Sequence, residues 1–170
     1  LETIRSRCIK LLLTAVSNER IKKWLIENGT NENIATVVAS YSNGAPGIAR
    51  SMAESEDFAG IYEKNVEFLK KISEVGINDI LEFIEELKKR TGGFKEFINF
   101  LRLWYRDICI LKLTKKIENL IFIREESIIL RLSREYTLKK INSIIDLIDE
   151  TEIRLNSNVS GDTVMELLFI

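Results

Sequence analysis

The chain contains no histidine. Ser-His-Asp and Cys-His nucleophilic catalysis and histidine metal ligation are therefore excluded within it. Cysteine occurs twice, as Cys8 and Cys109. Two cysteines make no disulfide framework and cannot alone build a structural zinc site, and the plain reading is reduced thiols in a cytoplasmic protein. One proline and eight glycines leave few breakers, which favours helices over a many-turned β architecture. No run of ~18 apolar residues occurs, so no membrane span is expected, and no signal-peptide pattern is seen. Net charge is -1. The chain as a whole thus lacks the electrostatic footprint of tight nucleic-acid binding. Arg5, Arg7, Lys10, Arg20, Lys22, Lys23 and Arg50 outnumber Glu2, Glu19, Glu27 and Glu32 in the first fifty residues, a mild excess that suits a solvated surface.

What is present is 45% hydrophobic and 30% charged, a composition of folded rather than disordered chains. The chain starts at Leu1 in mid-motif, so a piece of a longer protein is expected. Ile9 to Leu13 reads as a strand whose partners would precede Leu1.

Helical spacing follows. Ser17 is placed to cap a helix carrying Ile21, Trp24 and Leu25 and stopped by Gly29. Asn31 caps a second, with Ile34, Val37, Val38 and Tyr41 on one face, broken at Asn43-Gly44. Pro46 suits the first turn of a third, with Ile48, Ala49 and Met52 inward. A long helix is expected from Ser55 to about Val75 through Phe58, Ile61, Tyr62, Leu69 and Ile72. Asn78 caps the next, with Ile80, Leu81, Ile84 and Leu87 in register. After Thr91-Gly92-Gly93 comes a helix apolar on two sides. Phe94, Phe97, Ile98, Leu101, Trp104, Tyr105 and Ile108 form one stripe, and Phe100, Leu103, Ile110 and Leu113 the other. Such a helix is central. Leu120 to Ile123 is ambiguous between strand and helix. Glu125 to Tyr136 reads as helix, with Ile128, Ile129 and Leu132 inward. Thr137 caps a long helix through Ile141, Ile145, Ile148 and Leu155. Asn156 to Gly161 is a polar break before a closing helix with Val164, Leu167 and Leu168.

Four segments carry functional signals. Thr3-Ile4-Arg5-Ser6-Arg7-Cys8 sets an arginine between two small polar residues. Tyr41 to Ala49 holds Gly44-Ala45-Pro46-Gly47, whose spacing is neither a P-loop nor a dinucleotide fingerprint. Leu103-Trp104-Tyr105-Arg106-Asp107 pairs two aromatics with two charges. Leu155 to Val159 is a polar turn. The bland readings are a surface arginine, a helix-connecting turn, core aromatics beside a surface ion pair, and an N-cap.

Taken in order, these segments resemble the C-terminal part of delta-prime-type subunits of the bacterial DNA polymerase III clamp loader. The resemblance spans nearly the whole chain. It implies an all-α fold: residues 1-13 a remnant of an AAA+ ATPase-like domain, 14-55 a small three-helix lid, and 56-170 a helical collar that holds a pentameric ring. It implies that Arg7 is an arginine finger acting in trans on a neighbour's ATPase site, with Ser6 and Cys8 supporting it. A guanidinium offers a charged planar fork to phosphate oxygens, and such fingers contribute on the order of 10³–10⁵ in rate. Trp104, Tyr105 and Asn158 would be interface candidates. Gly47 stands about where hydrolysing gamma/tau subunits carry a nucleotide-reading arginine, and Arg50 lies one turn on. No cofactor is expected in this chain, ATP and magnesium being bound by neighbouring subunits, and no catalytic site of its own is expected. The implied partners are the gamma/tau and delta subunits, with the sliding clamp and primed DNA reached through the assembled complex, and no membrane. Lys115 to Glu125 departs from the family pattern. A gamma/tau-type ATPase subunit and an unrelated helical interaction module remain as alternatives.

Overall fold

The computed structural model describes residues 14–157 and 159–169, apart from the side chain of Glu56. The described residues are all helical, with no strand. Nine α-helices follow in order: α1 Asn18–Glu27, α2 Glu32–Tyr41, α3 Pro46–Ala53, α4 Glu56–Lys71, α5 Ile77–Lys88, α6 Gly93–Thr114, α7 Glu126–Glu135, α8 Leu138–Leu155 and α9 Gly161–Phe169. Two 3₁₀ turns, Ile117–Asn119 and Ile123–Glu125, join α6 to α7. No helix of the described residues is long and apolar enough to cross a membrane. The strand expected at Ile9 to Leu13 lies outside the described residues.

The punctuation works largely as the residue types dictate. Asn31 accepts a hydrogen bond from the Asn33 backbone N–H at 3.0 Å, and Thr137 accepts one from Lys140 N–H at 3.1 Å. These caps satisfy N–H groups that a first turn leaves free. Ser17 and Ser55 stand at N-caps without such a bond. The cap expected at Asn78 is replaced: α5 starts two residues earlier, and Asp79 accepts from the Gly76 N–H at 3.0 Å. A carboxylate in the first turn reaching back to the cap also favours the positive end of the helix dipole. α4 ends at Lys71, short of Val75. Gly93 opens α6 because nothing larger fits: a Cβ there would lie 2.1 Å from the Leu87 carbonyl oxygen.

α6 is central, as its two-sided apolarity predicts. It packs against α8, α7 and α5, and α2 of the first three helices lies on it. Phe97, Ile98, Phe100, Leu101, Trp104, Tyr105, Ile108 and Leu111 on it are buried. Burial of side chains of this size stabilises by about 1.5–3 kcal/mol each.

Several inward assignments are corrected. Ile48, Leu81, Leu113 and Leu167 are exposed. Each shares a helix with residues that are buried, but at the margin of the covered face, where no neighbour reaches. Conversely Val66, Phe68, Phe83 and Met165 are core residues that the spacing did not single out.

Candidate functional site

Ser6, Arg7, Cys8 and Asn158 lie outside the described residues. The rest of the expected site can be built from its surroundings.

The turn between α2 and α3 is tight and specifically formed. Asn43 and Gly44 both have positive φ, 48° and 80°. Ser42, buried, donates to the Ala39 carbonyl at 2.9 Å, and Ala45 N–H donates to the Ser42 carbonyl at 2.9 Å. Val16 N–H donates to the Gly44 carbonyl at 2.9 Å, fastening the segment before α1 to this turn. A Cβ at Gly44 would stand 2.5 Å from the Ala15 Cβ, so the close approach and the left-handed backbone both require glycine. Pro46 occupies the first helical turn. Gly47 has open space around it. Arg50 is exposed and pairs with Glu54 at 2.8 Å.

Trp104 and Tyr105 are core side chains, 1% and 5% exposed. Trp104 packs edge-on against Phe122 at 5.3 Å, and Tyr105 stacks on Tyr136 at 6.3 Å. Burial pushes the Tyr105 hydroxyl above its ordinary range. As anchors for a partner they are corrected: their area is already covered within this chain.

Arg106 and Asp107 are likewise not a surface pair. The Asp107 carboxylate is fully buried, and Arg106 Nη1 donates to its Oδ1 at 2.6 Å and to the Asn119 carbonyl at 2.7 Å. Oδ2 accepts from the backbone N–H groups of Ile121 and Phe122 at 2.7 and 2.9 Å. Burial holds this carboxyl above its usual range, opposed by Phe122 N–H, Arg106 and Ile121 N–H. The segment Leu120 to Ile123 is thus neither strand nor α-helix. Leu120 to Phe122 are irregular chain between the two 3₁₀ turns and Ile123 opens the second, with Leu120, Ile121 and Phe122 buried and two N–H groups satisfied by one side chain. Tyr62 borders this clip; burial and the nearby Glu125 push its hydroxyl up to about 12.

A second polar line joins the first three helices to the others. The half-buried Tyr41 hydroxyl is pushed up by burial, with the Asn99 side chain pulling the other way. Asn99 Oδ1 accepts from Arg102 Nη1 at 3.0 Å, and Arg102 Nη2 donates to Asp149 at 2.8 Å and Glu152 at 2.6 Å. Beside it, Asn65 is 1% exposed and its Oδ1 has no hydrogen-bond partner. Helical spacing held signals for these residues: Asn65 follows Tyr62 by three, and Asp107 follows Trp104 by three, each on a buried stripe. Among the described residues no group of three or more cysteines or carboxylates is placed to hold a metal ion.

No protein-family model, no curated protein and no solved structure gives a significant match to this chain.

Proposed function

We propose that this chain is the lid-and-collar part of a non-hydrolysing clamp-loader subunit of the delta-prime type. Arg7 acts in trans on the ATP and magnesium held by a gamma/tau neighbour, and the helices α4–α9 serve as the ring-holding collar. The observation that carries the reading is the order of the motifs: the Ser6-Arg7-Cys8 triplet, then a Gly44-Ala45-Pro46-Gly47 turn, then the polar turn at Asn156. Three helices lie before Ser55 and six after it, which agrees with a small lid followed by a larger helical body. The Gly44 turn is fastened to Val16, so a shift of the chain leading from Arg7 would be felt by the α2–α3 turn. In this reading the protein acts in the cytoplasm, with gamma/tau and delta subunits as direct partners and the clamp and primed DNA as indirect ones.

The test is a reconstituted loader containing the full-length protein. Arg7→Ala should lower DNA-stimulated ATP turnover by on the order of 10³ at the site it completes, with assembly of the ring unchanged. An unaltered rate removes the finger. A second reading, a helical interaction module unrelated to the loader, is favoured by the open cleft between α4 and α5. Failure of the protein to co-purify with gamma/tau and delta would select it.

A further inference from the structure

We infer that the cleft between α4 and α5 is a docking site for a short basic amphipathic helix of a partner protein. The inference rests on the cleft itself and holds whichever functional reading is right.

α4 is an unusual helix in this fold. Its backbone makes no extensive approach to another helix among the described residues. It is held instead by long side chains, with Phe68 stacked on Phe83 of α5 at 3.8 Å and 5°. Those two rings, 9% and 8% exposed, form an apolar floor with the half-buried Val75 at one end. Above them is a cavity of about 610 Å³. It passes the Lys64–Glu86 ion pair, 3.1 Å, into a second cavity of about 670 Å³ that reaches Ser55 and Thr91. The cleft therefore follows α4, whose 16 residues span about 24 Å. That length suits a four-turn helix better than a small molecule, which fills a compact pocket.

The walls fix the chemistry of the guest. Five carboxylates and two lysines line the first cavity, whereas the second balances Asp57, Glu86 and Glu96 against Lys64, Lys89 and Arg90, so the acidic character lies in the first. Both lysines of the first are engaged, Lys64 with Glu86 at 3.1 Å and Lys71 with Glu67 at 2.8 Å. Asp79 is occupied in capping α5. Glu74 and Glu82 are exposed and have no ion-pair partner among the described residues. A guest helix with an apolar side chain over the Phe68–Phe83 floor and lysines or arginines on its flanks meets both features at once. Complementary charge of this kind raises the association rate and selects the partner more than it adds raw affinity. An acidic helix would face repulsion from the same walls.

The test uses fluorescein-labelled amphipathic peptides of about 16 residues, one of leucine and lysine, one of leucine and glutamate, followed by fluorescence anisotropy. The lysine peptide should bind at least about tenfold more tightly, a difference of about 1.4 kcal/mol, and lose affinity as salt rises. Glu74→Lys with Glu82→Lys should weaken it by about tenfold or more. Glu118→Lys with Glu135→Lys, the same change of net charge at exposed positions outside the cleft, should leave binding unchanged. Circular dichroism melts would confirm that both double variants fold. Equal loss in the two double variants, or equal binding of the two peptides, overturns the inference. So does sedimentation showing that the cleft reversal dissolves a self-association of the protein, since the occupant is then a second copy.

Discussion

The first three helices and the six that follow are built from different materials. Between α1 and α3 the buried positions go mostly to small side chains, Ala35, Val37, Val38, Ala39 and Ala49, beside Ile21 and Leu25. Side chains of this size let backbones come close, and α1, α2 and α3 lie against one another. In the second group the interior is ringed by aromatics: Phe68, Phe83, Phe97, Phe100, Trp104 and Phe122. Their rings meet edge-on, tilted or stacked at 3.8 to 6.0 Å and tie helices together by side chains, as Phe68 and Phe83 do between α4 and α5. One core is close-fitting and intolerant of growth. The other hangs on a few large groups and is intolerant of loss.

The sharpest way to break the second kind is Phe122→Ala. Phe122 is fully buried and its ring meets Tyr62, Phe100 and Trp104, from α4 and α6. Truncation removes the ring's burial and leaves a cavity that rigid neighbours cannot fill, a loss of about 3–5 kcal/mol. Urea unfolding followed by circular dichroism would read it. A loss under about 1 kcal/mol would mean that the aromatic interior collapses readily, against the close packing expected of protein cores.

Asp107 tests whether the same region also depends on its polar clip. Asp107→Ala strands Ile121 and Phe122 N–H and leaves Arg106 unpaired. Arg106 is 42% exposed and regains water, so the cost should fall near the low end for breaking a buried pair, about 3 kcal/mol. Asp107→Asn keeps an acceptor for the two N–H groups and should cost less. Its pH dependence gives the sign. Because burial raises the carboxyl in the folded protein, the folded state holds this proton to higher pH than the unfolded chain does. The contribution of Asp107 to stability is therefore greatest below the ordinary carboxylate range and declines as pH rises through the raised value. The stability gap between wild type and Asp107→Asn should shrink over that interval. A gap that widens with pH would show that the N–H groups and Arg106 outweigh burial.

Much of this architecture is legible in the residues. Gly29, Asn31, Pro46, Gly92 and Thr137 mark helix ends because each solves a local backbone problem that needs no distant partner. The breadth of a buried face is different, since it is set by what lies across from it. Leu81 and Phe83 are two residues apart on α5, yet Phe83 is covered by the rings of Phe68 and Phe97 while Leu81 is 40% exposed. The Asp107 clip was hidden for a related reason. Its partners lie 14 and 15 residues away in a segment with no periodicity, so only the three-residue step from Trp104 marked the carboxylate as buried. Of the candidate site, the Gly44 turn was readable because positive φ and close approach leave few residue choices. The contact role of Trp104 and Tyr105 was not, because spacing alone does not separate an aromatic that faces its own core from one that faces a partner.

The gentlest probe addresses the close-fitting group. Ala39 is 1% exposed on α2, within the core of the first three helices. Leucine there adds three carbons where the helices already touch, forcing side chains off their rotamers or the backbones apart, at about 1–3 kcal/mol. Ala59→Leu supplies the control. Ala59 is exposed on α4, and alanine and leucine are both strong helix formers, so its effect should stay within about 0.5 kcal/mol. Amide hydrogen exchange would locate the damage: α1, α2 and α3 should lose protection first, with α6 following only where α2 rests on it. Equal tolerance of leucine at both positions would mean that the first three helices separate at little cost, and the contrast between the two cores would then be one of composition and not of fit.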